Sequence, residues 1–181
     1  MVDKHLSEEI IIKLNESGKQ TYSVYASESS NKDESQEQEL LKKIDENGFL
    51  KISFEEFIRI FGPMGSHTQL ERPEILIGDR QFDIRDEVTI KLTDAGIQDY
   101  KSYINYLIRK NGLESDGVYS KYMEKLHGKN LVISFNKLAD VFGLKMMGQP
   151  FLDGVLYINE ESLQEPLGYN KDYLETMINH R

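Results

Sequence analysis

Two stretches of this chain recur in the same order, and that recurrence restricts its fold more than any single residue does. Residues 10–25 match residues 88–103 at 7 of 16 positions with an offset of 78, and residues 50–62 match 131–143 at 6 of 13 with an offset of 81. Chance would give about one identity in a window of that length. Each second stretch leads into a Pro-containing segment and a hairpin-like run, 75–84 in the first half and 151–158 in the second. Self-similarity in this order predicts two tandem copies of one module of roughly 80 residues, divided near Asp86. The expected organisation is a first module at 1–86, a second at 87–158 and an acidic tail at 159–181. A terminal helix is expected in the tail, from Leu163, Leu167, Tyr173, Leu174 and Ile178.

Turn and cap residues give each module its coarse structure. Residues 88–92 are a short β-prone run, after which Thr93 (Asn15 in the first copy) can accept backbone N–H bonds as an N-cap, with Asp94 or Glu16 just inside the helix. Tyr100, Tyr103, Ile104, Leu107 and Ile108 follow at helical spacing and predict one apolar face, ending by Asn111-Gly112. A second helix is expected over 118–126, then an extended run at 131–133 and a brief helix capped by Ser134 and closed by Gly143. In the first copy, residues 53–56 form the pattern of a capping box. Asp153-Gly154 between apolar residues predicts a two-residue hairpin. The module is then α+β, helices packed on a short antiparallel sheet, winged-helix-like in outline. Residues 26–38 contain no large apolar side chain, which predicts a mobile acidic loop, with a polar helical face as the alternative.

Composition narrows the function classes. With 31 acids against 22 bases the net charge is −9, which disfavours a surface that grips phosphates throughout. Residues 101–150 invert the sign, holding four acids and eight bases. Within this stretch Arg109, Lys110, Lys121, Lys125 and Lys129 are the candidate polyanion contacts, and a solvated helix face is the plainer reading. The absence of cysteine removes disulfides, zinc–thiolate sites and cysteine nucleophiles, and fits a reducing compartment. The first residues lead into mixed polar and apolar sequence rather than an apolar signal core, so a cytoplasmic protein is expected.

No motif identifies a reaction. Residues 45–57 resemble an EF-hand calcium loop, with Asp45, Asn47 and Glu56 at its first, third and twelfth places. Phe49 and Leu50 stand where that loop needs an oxygen ligand and a glycine, and the second copy has Leu126, Gly128 and Lys137 at the matching places. No metal or cofactor is expected. His5, His67, His127 and His180 form no HExxH pair, the serines lie in no G-x-S-x-G, and the glycines lack the spacing of a nucleotide loop. Tyr100, Tyr103 and Tyr106 suggest a stacking platform, although helical spacing points two of them at the core.

The strings at 91–96, Lys-Leu-Thr-Asp-Ala-Gly, and 133–143, Ile-Ser-Phe-Asn-Lys-Leu-Ala-Asp-Val-Phe-Gly, resemble small uncharacterised proteins common in phages and prophages of Gram-positive bacteria. The resemblance implies a mobile-element accessory protein acting in the cytoplasm of a host bacterial cell, a group that includes type II anti-CRISPR proteins. It brings no catalytic residue with it. The first expectation is therefore a non-catalytic inhibitor whose carboxylates stand in for phosphates in the basic groove of a nuclease such as Cas9. Asp33, Glu34, Glu37 and Glu39, with Glu160 and Glu161, are its candidate contacts. The alternative is a winged-helix-like DNA-binding regulator using the five bases named above.

Overall fold

The computed structural model describes residues 1–166 and Glu175, and it is α+β. The elements run β1 (Val2–His5), β2 (Glu9–Lys13), α1 (Glu16–Ser29), α2 (Glu34–Leu41), β3 (Phe49–Ser53), α3 (Phe54–Phe61), β4 (Glu74–Ile77), β5 (Arg80–Asp83) and β6 (Glu87–Leu92). They continue as α4 (Asp94–Asn111), α5 (Ser115–Met123), β7 (Leu126–His127), β8 (Asn130–Ser134), α6 (Phe135–Phe142), β9 (Phe151–Ile158) and β10 (Leu163–Gln164). Two antiparallel sheets result, ordered β1-β9-β6-β8-β7 and β10-β5-β4-β2-β3. The strands at the two ends of residues 1–166 both pair with strands far along the chain. Strand β1 pairs with β9, Val2 opposite Ile158, whereas β10 returns to β5, Leu163 opposite Phe82. The Arg80 guanidinium donates to the Leu163 carbonyl at that seam.

Helix starts follow their caps. The Asn15 carboxamide oxygen accepts from the Gly18 amide at 2.9 Å, and the Thr93 hydroxyl accepts from the Gly96 amide at 3.1 Å. Both helices then press a glycine against a returning strand entry. A Cβ on Gly18 would sit 2.1 Å from the Gln69 carbonyl oxygen, and one on Gly96 would sit 2.2 Å from that of Pro150. Ser53 and Glu56 close the expected capping box, each side chain receiving the other's backbone amide, at 3.1 and 2.8 Å. Ser134 occupies the equivalent place before α6, but its hydroxyl donates to Asn136 Oδ1 at 2.7 Å instead of capping the helix. Helix α4 ends on Gly112 at φ 59°, as expected, and the next helix spans Ser115–Met123, earlier than the 118–126 read from sequence.

Three expectations are corrected. Residues 26–38 are not one loop but follow the helical alternative on either side of a turn at 30–33: α1 continues to Ser29 because Gly18, Tyr22 and Ala26 bury one stripe at four-residue spacing. Ser30 is itself buried, Asn31 and Lys32 turn through left-handed backbone, and Asp33 starts α2 by accepting from the Ser35 and Gln36 amides. Asp153-Gly154 makes no hairpin. It bulges within β9, where Leu92 faces Phe151 while Ile90 faces Leu156, because β1 and not the chain beyond the turn takes the free edge; Leu6 N–H donates to Gly154 O at 2.8 Å. Leu163 belongs to a strand rather than a helix, and Leu167, Tyr173, Leu174 and Ile178 lie outside the described residues.

One contiguous core joins the two halves of the chain. Helices α3 and α6 pack on each other, and Phe135 meets Phe54, Phe57 and Phe82 at ring-centroid distances of 5.5, 5.4 and 6.3 Å. Across the same seam the Ser66 amide donates to the Asp140 carboxylate at 3.0 Å. Burial pushes the Asp140 carboxyl above its ordinary range in spite of that bond.

The buried phenols give an expected alkaline limit. Burial pushes Tyr22 and Tyr100 up to about 12, with Tyr25 and Glu56 adding to the first and Tyr122 and Tyr103 to the second. Their side chains are 1% and 0% exposed. In the unfolded chain both titrate near 10, so the stability these two phenols contribute is fully present below about pH 10 and is lost as the pH climbs through about 12. Each shift corresponds to roughly 2–3 kcal/mol. Tyrosinate absorbance and helical circular dichroism are expected to change together in that window, and Tyr22→Phe is expected to lessen the loss. Tyrosines ionising normally without loss of helix would contradict this account.

Candidate interaction surfaces

The acids singled out from sequence fall on two separate elements. Asp33 caps α2, and Glu34, Glu37 and Glu39 stand on that helix, which buries no residue. None of these three glutamates forms an ion pair with a described residue, so their charge faces solvent. Glu160 and Glu161 are exposed in a 3₁₀ turn (Glu160–Ser162) that Asn159 caps from its side-chain oxygen.

Helix α2 packs against α1, which contributes Val24 to a group of exposed apolar side chains. Val24 is 58% exposed, Met64 61% and Leu144 80%, and the three line one cavity of about 500 Å³. Its walls come from α1, from the end of α3 and from the residue after Gly143, with Tyr25 and Ile60 at the base and Glu28 and Arg59 at the edge. Apolar side chains gathered on a surface at this exposure are the usual core of a contact patch, since singly scattered ones need no partner. Sequence reasoning missed all three. An apolar residue reads as core, and only the position of Val24 off the Tyr22–Ala26 stripe hinted otherwise.

The five candidate bases do not form one patch. Lys121 and Lys125 converge with Arg85 and Lys137 on a cavity of about 660 Å³. Arg109 lines a different one with Asn105, Asp116 and Tyr119. Lys110 lies 5.6 Å over the Tyr106 ring, and Lys129 pairs with Asp94 at 2.9 Å. The three tyrosines divide as helical spacing suggested: Tyr100 is fully buried with its hydroxyl on the Tyr122 carbonyl at 2.8 Å, Tyr103 packs against the core, and Tyr106 is 51% exposed.

The EF-hand-like segment forms a tight turn into β3. The Asp45 carboxylate accepts from the Asn47 and Phe49 amides at 2.8 and 2.9 Å, Gly48 takes φ 82°, and Phe49 and Leu50 go into the core. Among the described residues no group of three or more His, Asp or Glu is placed to hold a metal ion. No helix of the described residues is long and apolar enough to cross a membrane. No protein-family model, no curated protein and no solved structure matches the chain, and its function is therefore read from these surfaces.

Proposed function

We propose that this chain is a non-catalytic binding protein that docks on, and inhibits, a nucleic-acid-handling enzyme, in keeping with its resemblance to phage proteins. The observation that carries the reading is the exposed apolar group of Val24, Met64 and Leu144 around one cavity, whose α1 wall belongs to the helix that packs against the acidic α2. An apolar patch on a molecule that also carries an acidic helix next to α1 matches a partner that presents an apolar knob within a basic surface, the character of a groove built for phosphates. The partner of this chemistry that the resemblance points to is an RNA-guided nuclease such as Cas9, met in the cytoplasm of the host cell. We further propose that the binding unit is one of two copies of a single module. Supporting this are the two sequence offsets and the parallel close approaches of Gly18 to Gln69 and Gly96 to Pro150.

Titrating the purified protein into guide-loaded Cas9 cleavage is expected to give inhibition that saturates near a small fixed molar ratio and weakens with salt. Replacing Glu34, Glu37 and Glu39 together by lysine is expected to slow association about tenfold, as steering charges do, with little change in dissociation. Leu144→Asp is expected to act on dissociation instead, speeding it about tenfold or more. Absence of inhibition, together with tight salt-sensitive binding to bare duplex DNA, would move the assignment to the winged-helix-like regulator.

A further inference from the structure

A chain of net charge −9 gathers four of its 22 bases around one cavity. Arg85, Lys121, Lys125 and Lys137 rim the space of about 660 Å³ between α5 and the β8–α6 junction, against a single carboxylate, Glu87. Two of these charges are already engaged: Lys125 Nζ is 2.6 Å from Glu87, and Arg85 forks onto Asp83. Both are exposed pairs, which contribute little and exchange readily for a better anion. Lys121 forms no ion pair with a described residue, and Lys137 Nζ lies 5.4 Å over the Tyr122 ring. The floor is different in kind. Val118, Tyr122 and Ile133 line it, and Tyr100 closes it from beneath, so the cavity has an apolar bed under a cationic rim.

The geometry points to a binding site for a small organic polyanion with a planar or apolar body, the chemistry of a nucleoside phosphate. The volume is that of a small-molecule pocket, and the rim cations would take the charged head while the floor takes the body. A small anion fits better than a long one. A bound phosphate would be held chiefly by Lys121 and Lys137, the lining bases with no ion pair among the described residues, since Lys125 is paired with Glu87 and Arg85 has Asp83, Glu74 and Asp86 about it; a nucleic acid strand leaving the groove would run over a surface that is acidic overall. The bases that would have to continue such a track are elsewhere: Lys129 is paired with Asp94, and Arg109 lines a separate cavity. This site is independent of the Val24–Leu144 surface, so either assignment can fail alone.

The test is calorimetric titration of the intact protein with ADP, adenosine, pyrophosphate and a single-stranded oligothymidylate. ADP is expected to bind one to one, with adenosine and pyrophosphate each weaker by about tenfold or more because each lacks half of the contacts. Lys121→Gln with Lys137→Gln is expected to weaken ADP by about tenfold, whereas Arg109→Gln should leave it within about twofold, both variants melting as the parent does. No ADP binding below about 1 mM would overturn the assignment. So would adenosine binding as tightly as ADP. Tighter binding of the oligonucleotide, weakened by Arg109→Gln as much as by the paired lysine change, would make the groove part of a polyanion surface and equally overturn it.

Discussion

Gly62→Ala is expected to lower the unfolding free energy by about 3 kcal/mol, the upper end of what overpacking costs. A Cβ at this position would stand 2.1 Å from the Ala139 carbonyl oxygen and 2.7 Å from its carbon. Both are backbone atoms of α6, so no rotamer change relieves the clash and the two helices must part. The opposite face of the contact is equally close, with Gly143 facing the Ile58 carbonyl oxygen at 2.9 Å from its own hypothetical Cβ. Gly117→Ala supplies the control. That glycine lies in α5 with nothing within 4 Å, and there alanine is expected to stabilise by about 0.5–1 kcal/mol through helix propensity alone. Urea titrations of both variants check the opposite signs. Equal and small effects would mean that α3 and α6 do not touch through their glycines.

Local chemistry is what a sequence displays openly, and the features read correctly were local. Asn15, Thr93 and the Ser53–Glu56 box cap their helices because the acceptor and its amide lie within three residues. The Gly112 stop and the hairpin through Gly78 at φ 59° are of the same kind. Apart from the Ser134 cap, which Asn136 two residues on draws away, what failed depended on partners far along the chain. Asp153-Gly154 has hairpin chemistry, but the strand that would have folded back was displaced by residues 2–5, whose pairing with 155–158 no window of sequence contains. The segment 26–38 lacks large apolar residues and is still helical on both sides of its turn at 30–33, because its order derives from Tyr22 and Ala26 against the core and from the Asp33 cap. The surfaces divide likewise. The numbers of acids and bases were legible, whereas the meeting of Arg85 and Lys137 with Lys121, or of Leu144 with Val24, depends on chain segments brought together only by folding.

Phe135→Ala is expected to destabilise the whole protein by about 3–5 kcal/mol, a fall in Tm on the order of 10 °C for a chain of this size. The ring is 0% exposed and stacks on Phe57 at an interplanar angle of 23° while meeting Phe54 and Phe82 edge-on. Those three partners come from the first half of the chain and Phe135 from the second. Removing the ring therefore leaves a cavity at the seam rather than inside either half. Phe54→Ala, at the position that aligns with it, is expected to cost a similar amount. The double variant should lose less than the sum of the two, because the Phe54–Phe135 contact is counted in each single change. Phe135→Leu, which keeps most of the volume, should lose clearly less than alanine. If the two halves instead held separate cores, Phe135→Ala would split thermal unfolding into two transitions and leave the first half's melt where it was. A single transition shifted as a unit is the expected result, since Ile10, Phe54 and Phe82 belong to the same buried cluster as Tyr100, Phe135 and Leu156.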